Sequence, residues 1–554
     1  MEYQEPATPT PAEETTPKRR PRNWQQIWMP LWLSLAFVAG ILLSTYLLQP
    51  PKASNRISSK QMHKFDEVLE YVNMYYVDSI DTDKMFEEAI RAMLQTLDPH
   101  STYATAEENR SLMETLEGSF EGVGIQFSIM NDTVMVVAVV TGGPSEKVGI
   151  RAGDRIISVD GKKIAGTGIA NNDVMKLLRG KRNTAVTVGI KRQNFPQTYY
   201  YTIIRDVIPT YTVDVSYMID KETGYIKINQ FGGTTAQEFH KALLTLRMQG
   251  MTKLIIDLRG NPGGLLEAAV QICDELLPDR ELIVYTEGMR INSEKIYATR
   301  YGNFEKGKVA ILIDDFSASA SEIVAGTVQD NDRGIVVGRR SFGKGLVQRQ
   351  IDLSDSSSIR LTVARYHTPS GRCIQRTYKD GTEQYYEEMI KRYERGEMDS
   401  ADSIKFDQNL RYTTKKGRVV YGGGGIMPDY FVAIDRDSTL TSCYQVINSG
   451  VMVQFAFDYA NQHHEALTKA YPTATAFVAN MKVNDQTLNS LLQFYTTKTK
   501  QKVPTMNAAS REELRLWLKA LIGRNLYQDK GFYPVINQTD KVVLKAVEKL
   551  KTEN

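Results

Sequence analysis

Cysteine is nearly missing from this chain. Three occur in 554 residues, Cys273, Cys373 and Cys443, and no two stand close enough for a CxxC pair. That spacing excludes a zinc ribbon and a disulfide framework. Histidine is scarce as well: His63, His100, His240, His367, His463 and His464 are the whole set, and none sits in a motif resembling a triad partner. The GxSxG nucleophile turn is absent. The glycine turns lack the Lys-Ser/Thr ending of a phosphate-binding loop. Net charge is only +3, so no basic excess argues for a nucleic-acid partner. There is no internal repeat.

What is present is ordinary globular composition, 42% hydrophobic and 24% charged, over a length that implies three or four domains. Residues 1–26 are rich in Pro, Thr and Glu and end in Lys18, Arg19, Arg20 and Arg22, a disordered tail by composition. Ile27 to Leu48 carries no charge, with Trp28 and Trp32 near its start. About twenty apolar residues suffice to cross a bilayer. The basic cluster ahead of the stretch predicts a cytoplasmic N-terminus, with everything after residue 48 exported. A cleaved signal peptide is the other reading of this stretch. No cysteine follows it closely, which argues against a lipoprotein.

Residues 49–59 read as a linker, and residues 60–117 as a helical segment broken at "LDPHSTYAT" (Leu97–Thr105). From residue 118 to residue 206 short alternating strands take over, with one helix-like stretch, "NNDVMKLLRG". From Gly224 onward strand and helix alternate, which predicts an α/β domain with a largely parallel sheet. Runs such as "KVAILI" have no polar alternation, as a sheet covered on both faces requires. After residue 435 the pattern is helical, and Ser510 with Glu513 reads as a capping box.

Chemistry concentrates at "DDFSASASEI" (Asp314–Ile323), where a strand turns into a helix. Ser319 stands three residues before Glu322, so it reads first as a helix cap. A helix N-terminus also presents free N–H groups and partial positive charge, which a tetrahedral oxyanion needs. Twenty-five residues on, "SFGKGLVQ" places Lys344 between two glycines and beside Phe342, Leu346 and Val347. Taken alone it is a surface lysine in a glycine turn. If apolar neighbours desolvate it, its amine can take a proton from a serine. A third strand–turn–helix, "IIDLRGNPGGLLEAA", could aim N–H groups of Gly263 and Gly264 at a carbonyl oxygen.

Together these stretches resemble the carboxyl-terminal processing (tail-specific) serine proteases. "FSASASEIVAGTVQD" followed by "GRRSFGKGLVQ" carries the likeness, joined by "DLRGNPGG", "LDPHSTY", "TPSGRCIQ" and "YGGGGIMPD". The resemblance covers residues 60–435. It implies an α/β fold with a crotonase/ClpP-like core (207–435), an inserted, mainly β PDZ domain (118–206), an N-terminal helical segment and a helical C-terminal extension (436–554). Ser319 would be nucleophile, chosen over Ser317 and Ser321 because its spacing of 25 to Lys344, the general base, matches the family's catalytic pair. Gln348, one helical turn or a short step beyond, would orient the amine. The N–H groups of Gly264 and Ala320 would form the oxyanion hole, with Asp330 in support. No cofactor or metal is implied. Gly122, Val123, Gly124, Ile125, Gln126 and Phe127 would bind a substrate's C-terminal tail as an added strand, and an occupied PDZ domain would help align the active site. The implied setting is a bacterial inner membrane crossed once, with catalysis on the periplasmic side. The extension after residue 435 is a candidate for packing on the core, dimerisation or adaptor binding. Two rival readings stay open: a non-catalytic PDZ scaffold on a degenerate core, and a crotonase-type acyl enzyme.

Overall fold

The structure, a computed structural model, describes residues 59–192, 195–434 and 440–552, with Met29, Ser34, Phe37 and Val38 ahead of them. Apart from those four positions, the apolar stretch 27–48 lies outside the described residues, as do the tail 1–26 and most of the 49–59 linker. No helix among the described residues is long and apolar enough to cross a membrane. The chain forms two compact units, the first ending at Met85 and the second starting at Phe86. The described part of the first unit is mainly one helix, Ser59–Tyr75.

In the second unit, the protease-like region is built on a six-stranded sheet. Its order is Val213–Met218, Thr223–Ile228, Lys253–Asp257, Lys308–Ile313, Ile335–Gly338, Tyr430–Phe431. Only the first pairing is antiparallel. Side chains alternate across a strand. Ile311 and Ile313 therefore face one layer, formed by the helices Thr235–Met248, Leu266–Leu276 and Ala320–Asp330. Ala310 and Leu312 face the other, where Val542, Val543, Ala546 and Leu550 of the helix Lys541–Thr552 lie. Both faces are dry, which explains the unbroken apolar strands read from sequence. Part of the C-terminal extension is thus a wall of this core.

A second sheet carries strands Thr102–Ala104, Ser358–His367, Leu282–Glu287 and Glu294–Tyr297 in that order, with Leu346–Asp352 also paired to Ser358–His367. Ahead of the core, residues 125–204 form an antiparallel sheet with the helix Asn171–Leu178 over it. Chain entry and exit pair as a two-stranded ribbon, Ser119–Gly122 against Asp206–Pro209. The strand Ile125–Ile129 is an edge of that sheet, hydrogen-bonded only to Val134–Val139 among described strands.

Helices between Thr441 and Tyr527 bury a separate apolar core around Met452, Leu488, Leu491, Leu514 and Leu518. The capping box expected at Ser510 is not formed as read. The helix begins at Ala508, and Asn507 caps it by accepting from the Ser510 N–H at 2.7 Å. Asn is as strong a cap as Ser, and it comes first along the chain.

Candidate active site

The strand Lys308–Ile313 delivers the chain to a tight turn, and the helix Ala320–Asp330 leaves it. The three serines of that turn do different things. Ser317 Oγ is buried and donates to Leu258 O at 2.8 Å. Ser321 Oγ is buried and donates to Asn261 O at 3.0 Å. Both tie the turn to the neighbouring glycine loop. Ser319 is the half-exposed one, and its backbone sits at φ 53°, ψ −113°. Few non-glycine residues adopt positive φ, and doing so costs about 1–3 kcal/mol. Here the surroundings force it. The Ser319 N–H donates to Glu322 Oε2 at 2.8 Å, and the Ala318 N–H donates to Asn261 O at 3.1 Å.

The glycine loop after the strand Lys253–Asp257 packs directly on this turn. A Cβ on Gly263 would lie 2.8 Å from Ser319 Cβ and 2.9 Å from the Ala320 nitrogen. Gly264 bridges Phe231 in parallel register: the Phe231 N–H donates to Gly263 O at 3.0 Å, and the Leu265 N–H donates to Phe231 O at 2.8 Å. In a parallel bridge the flanking peptides make the bonds, so the N–H of the central residue points away. Ala320 is the first residue of its helix, and its N–H has no intrahelical partner. The glycine loop and the first turn of the Ala320 helix thus meet beside Ser319.

Lys344 sits on the loop Ser341–Gly345, and one carboxylate holds that loop. Glu322 is fully buried and accepts from Ser341 Oγ at 2.5 Å, Gly343 N–H at 2.7 Å and Lys344 N–H at 2.8 Å, besides Ser319 N–H. Burial pushes its carboxyl up, and those four donors pull it back. The Tyr366 hydroxyl adds a second tie, donating to Lys344 O and lying 3.1 Å from Ser319 O. Lys344 Nζ donates to Gln348 Oε1 at 2.9 Å, and Gln348 Nε2 donates to His100 O. Burial lowers the lysine to about 8, and the charge of Arg360 adds to the effect.

Gln348 was expected one helical turn or a short step past Lys344. It lies on the strand Leu346–Asp352, where a bulge between Val347 and Gln348 shifts the register. Such a bulge re-aims a side chain.

Gly264 adjoins Gly263, which packs on the turn of Ser319 and Ala320, and Ser319, Lys344 and Gln348 are linked through Glu322 and the Lys344–Gln348 hydrogen bond. Asp330 stands apart. It lies at the far end of the Ser319 helix, about 15 Å along its axis. There it forms a fully buried 2.8 Å ion pair with Arg372 and accepts from Ser370 Oγ at 2.6 Å. Gly122 to Phe127 lie in the separate 118–206 region, where Gly124 takes φ 73° and Ile125 opens the edge strand.

Sequence reasoning assigned nothing to several residues that build the site. Asp98 accepts from Ser101 Oγ at 2.6 Å and Thr362 Oγ1 at 3.1 Å, fixing the loop that presents the His100 carbonyl. The His100 imidazole reaches Tyr385 OH at 2.8 Å, and its pKa falls to about 4 through burial and then Lys344. Arg376 lies between the rings of Phe342 and Tyr385, 4.1 and 3.9 Å from their centroids. The "LDPHSTY" motif was visible, but its distance in sequence from Gln348 hid its role.

Four family models match the chain. They are peptidase family S41 over residues 222–384, a PDZ domain over 135–192, the activating protease CtpB N-terminal domain over 44–108 and a family of unknown function over 443–529. The carboxy-terminal-processing protease of Bartonella bacilliformis is 37% identical over 348 residues, covering 61% of this chain and 79% of that protein. The carboxy-terminal processing protease CtpA of Bacillus subtilis is 35% identical over 314 residues, 56% of this chain and 66% of the relative. Among solved structures, a photosystem II D1 C-terminal processing protease aligns at 26% identity and a TM-score of 0.34, covering 67% of this chain and 86% of that one. On the likeness to the Bartonella protease and the matches to the peptidase and PDZ models, the chain belongs to the carboxy-terminal-processing serine proteases of peptidase family S41, with a PDZ domain ahead of its protease core.

Proposed function

We propose that Ser319 and Lys344 are the catalytic dyad of this protease, and that it trims the C-terminal tails of exported proteins presented by its PDZ domain. The observation that carries the dyad is the shared anchor. Glu322 binds the backbone N–H groups of both Ser319 and Lys344, so nucleophile and base are fixed to one buried carboxylate. In this reading the neutral Lys344 amine takes the proton from Ser319 Oγ as the oxygen attacks the peptide carbonyl. The N–H groups of Gly264 and Ala320 hold the oxyanion. Lys344 returns the proton to the departing amine, and the acyl-serine is then hydrolysed by water activated the same way. Gln348 keeps the amine oriented, and its own orientation comes from His100 O.

The PDZ part of the reading rests on the open edge strand. A peptide adding beside Ile125–Phe127 would pair its backbone with that edge, its carboxylate meeting the turn at Gly122–Gly124. The export part rests on the uncharged stretch 27–48 behind a basic cluster, which would anchor the enzyme in a membrane with its catalytic unit outside.

The test is cleavage of an unfolded protein ending in apolar residues. Ser319→Ala and Lys344→Ala should each abolish turnover while leaving binding of the tail peptide intact. Turnover surviving in Ser319→Ala would refute the dyad.

A further inference from the structure

The loop that carries Gly264 is tied to the serine turn at Leu258 and at Asn261, as described above. Between those two ties stands Arg259, whose guanidinium divides between two carboxylates. Nε donates to Asp257 at 3.0 Å, Nη2 donates to Asp257 Oδ2 at 2.6 Å, and Nη1 donates to Asp540 Oδ2 at 2.8 Å. Asp257 is buried and also accepts from Tyr225 OH at 2.7 Å, with Lys227 Nζ 3.5 Å away. Lys227 donates in addition to Arg259 O, on the loop backbone itself. Two cations and two anions balance, and the fourth member comes from a segment more than a hundred residues beyond the protease core.

Asp540 has a second job. Its Oδ1 accepts from the N–H groups of Val542 and Val543 at 2.9 and 3.0 Å, so it caps the helix that covers the sheet. One oxygen therefore starts the helix and the other grips Arg259. Neither the S41 match nor the match to a family of unknown function reaches residue 540.

We propose that Asp540 and Arg259 are positioning residues for the oxyanion hole, so that the C-terminal segment belongs to the catalytic machinery. This rests on the reading of Gly264 as an oxyanion donor. Arg259 lies five residues before Gly264, and Gly260, Gly263 and Gly264 all take positive φ, so the course of the loop depends on the bonds that pin it. With Asp540 neutral, Nη1 loses its partner, the cluster carries unbalanced positive charge, and the loop gains freedom at the donor. A donor displaced by a fraction of an ångström binds the oxyanion poorly while leaving ground-state binding alone.

The test uses the full chain. Asp540→Asn keeps helix capping, because Asn caps as well as Asp, and removes the charge. Arg259→Lys keeps a cation beside Asp257 and loses the fork that reaches Asp540. Rates on a tail peptide are taken per titrated active site. Both variants should lower kcat about tenfold with KM unchanged. Affinity for a peptide aldehyde, which forms a tetrahedral adduct, should fall by the same factor, and affinity for the product peptide should not. Asp540→Glu should recover part of kcat. A kcat within twofold of wild type in either folded variant overturns the proposal. So does a loss of kcat with aldehyde affinity unchanged. The serine reading is tested separately: activity in Ser319→Ala defeats that reading, whereas a normal Asp540→Asn beside an inactive Ser319→Ala defeats only this inference.

Discussion

Lys344 is an amine held out of water, so its titration reads directly on the site. With a pKa of about 8, roughly a tenth of it is neutral at pH 7 and most of it at pH 9. In the proposed role of base it must be neutral, so kcat/KM should climb about tenfold per pH unit below 8 and level off above it. A pH–rate profile over roughly pH 6 to 10 checks this, and a flat profile would remove Lys344 from the base role. Burial is the main cause of the low value and Arg360 the second. Arg360→Gln should therefore move the inflection to higher pH. Individual residues also show how far sequence could reach. Ser319 was set apart from Ser317 and Ser321 only through the family resemblance, whose Ser–Lys spacing it matches, and the structure adds the physical distinction that the other two hydroxyls are consumed by carbonyls of the glycine loop. Glu322 was visible only as a cap. Its bonds to Ser341, Gly343 and Lys344 span some twenty residues, and no local pattern encodes them.

Among the elements, the glycine loop and the serine turn fit closely. Gly263 has φ 99°, and a Cβ there would meet Ala318 O at 2.7 Å and Ser319 Cβ at 2.8 Å. Gly263→Ala should therefore push the serine turn away from the donor loop. We expect kcat to fall on the order of a hundredfold, with the unfolding free energy lowered by about 1–3 kcal/mol of strain. Parallel kinetics and melting curves separate the two effects. Alternation of strand and helix made the parallel sheet legible, since apolar runs and glycine turns are local signals. The bulge before Gln348 was not legible, because register depends on the partner strand Ser358–His367. Nor was the contact of the Asp98–Ser101 loop with Gln348, which joins residues about 250 positions apart.

For the second unit as a whole, the main fact is who covers the sheet. One face is sealed by helices that follow their strands directly. The other receives Val542, Val543, Ala546 and Leu550 from the far end of the chain. Amphipathic spacing identified this stretch as a helix but could not name its partner, because either face of a sheet accepts an apolar stripe. Val543→Asp would bury a charge with no counterion against Ala310 and Leu312. It should cost several kcal/mol and expose the core, read as a lower melting temperature and faster digestion by a second protease. A smaller truncation, Leu550→Ala, should cost about 2–4 kcal/mol.

That covering helix also sets an order of events. A ribosome makes residues 541–552 after every strand they protect. Until they arrive, the sheet has an open face and Arg259 lacks one of its carboxylates. A growing or interrupted chain would then carry Ser319 and Lys344 without a finished scaffold around them.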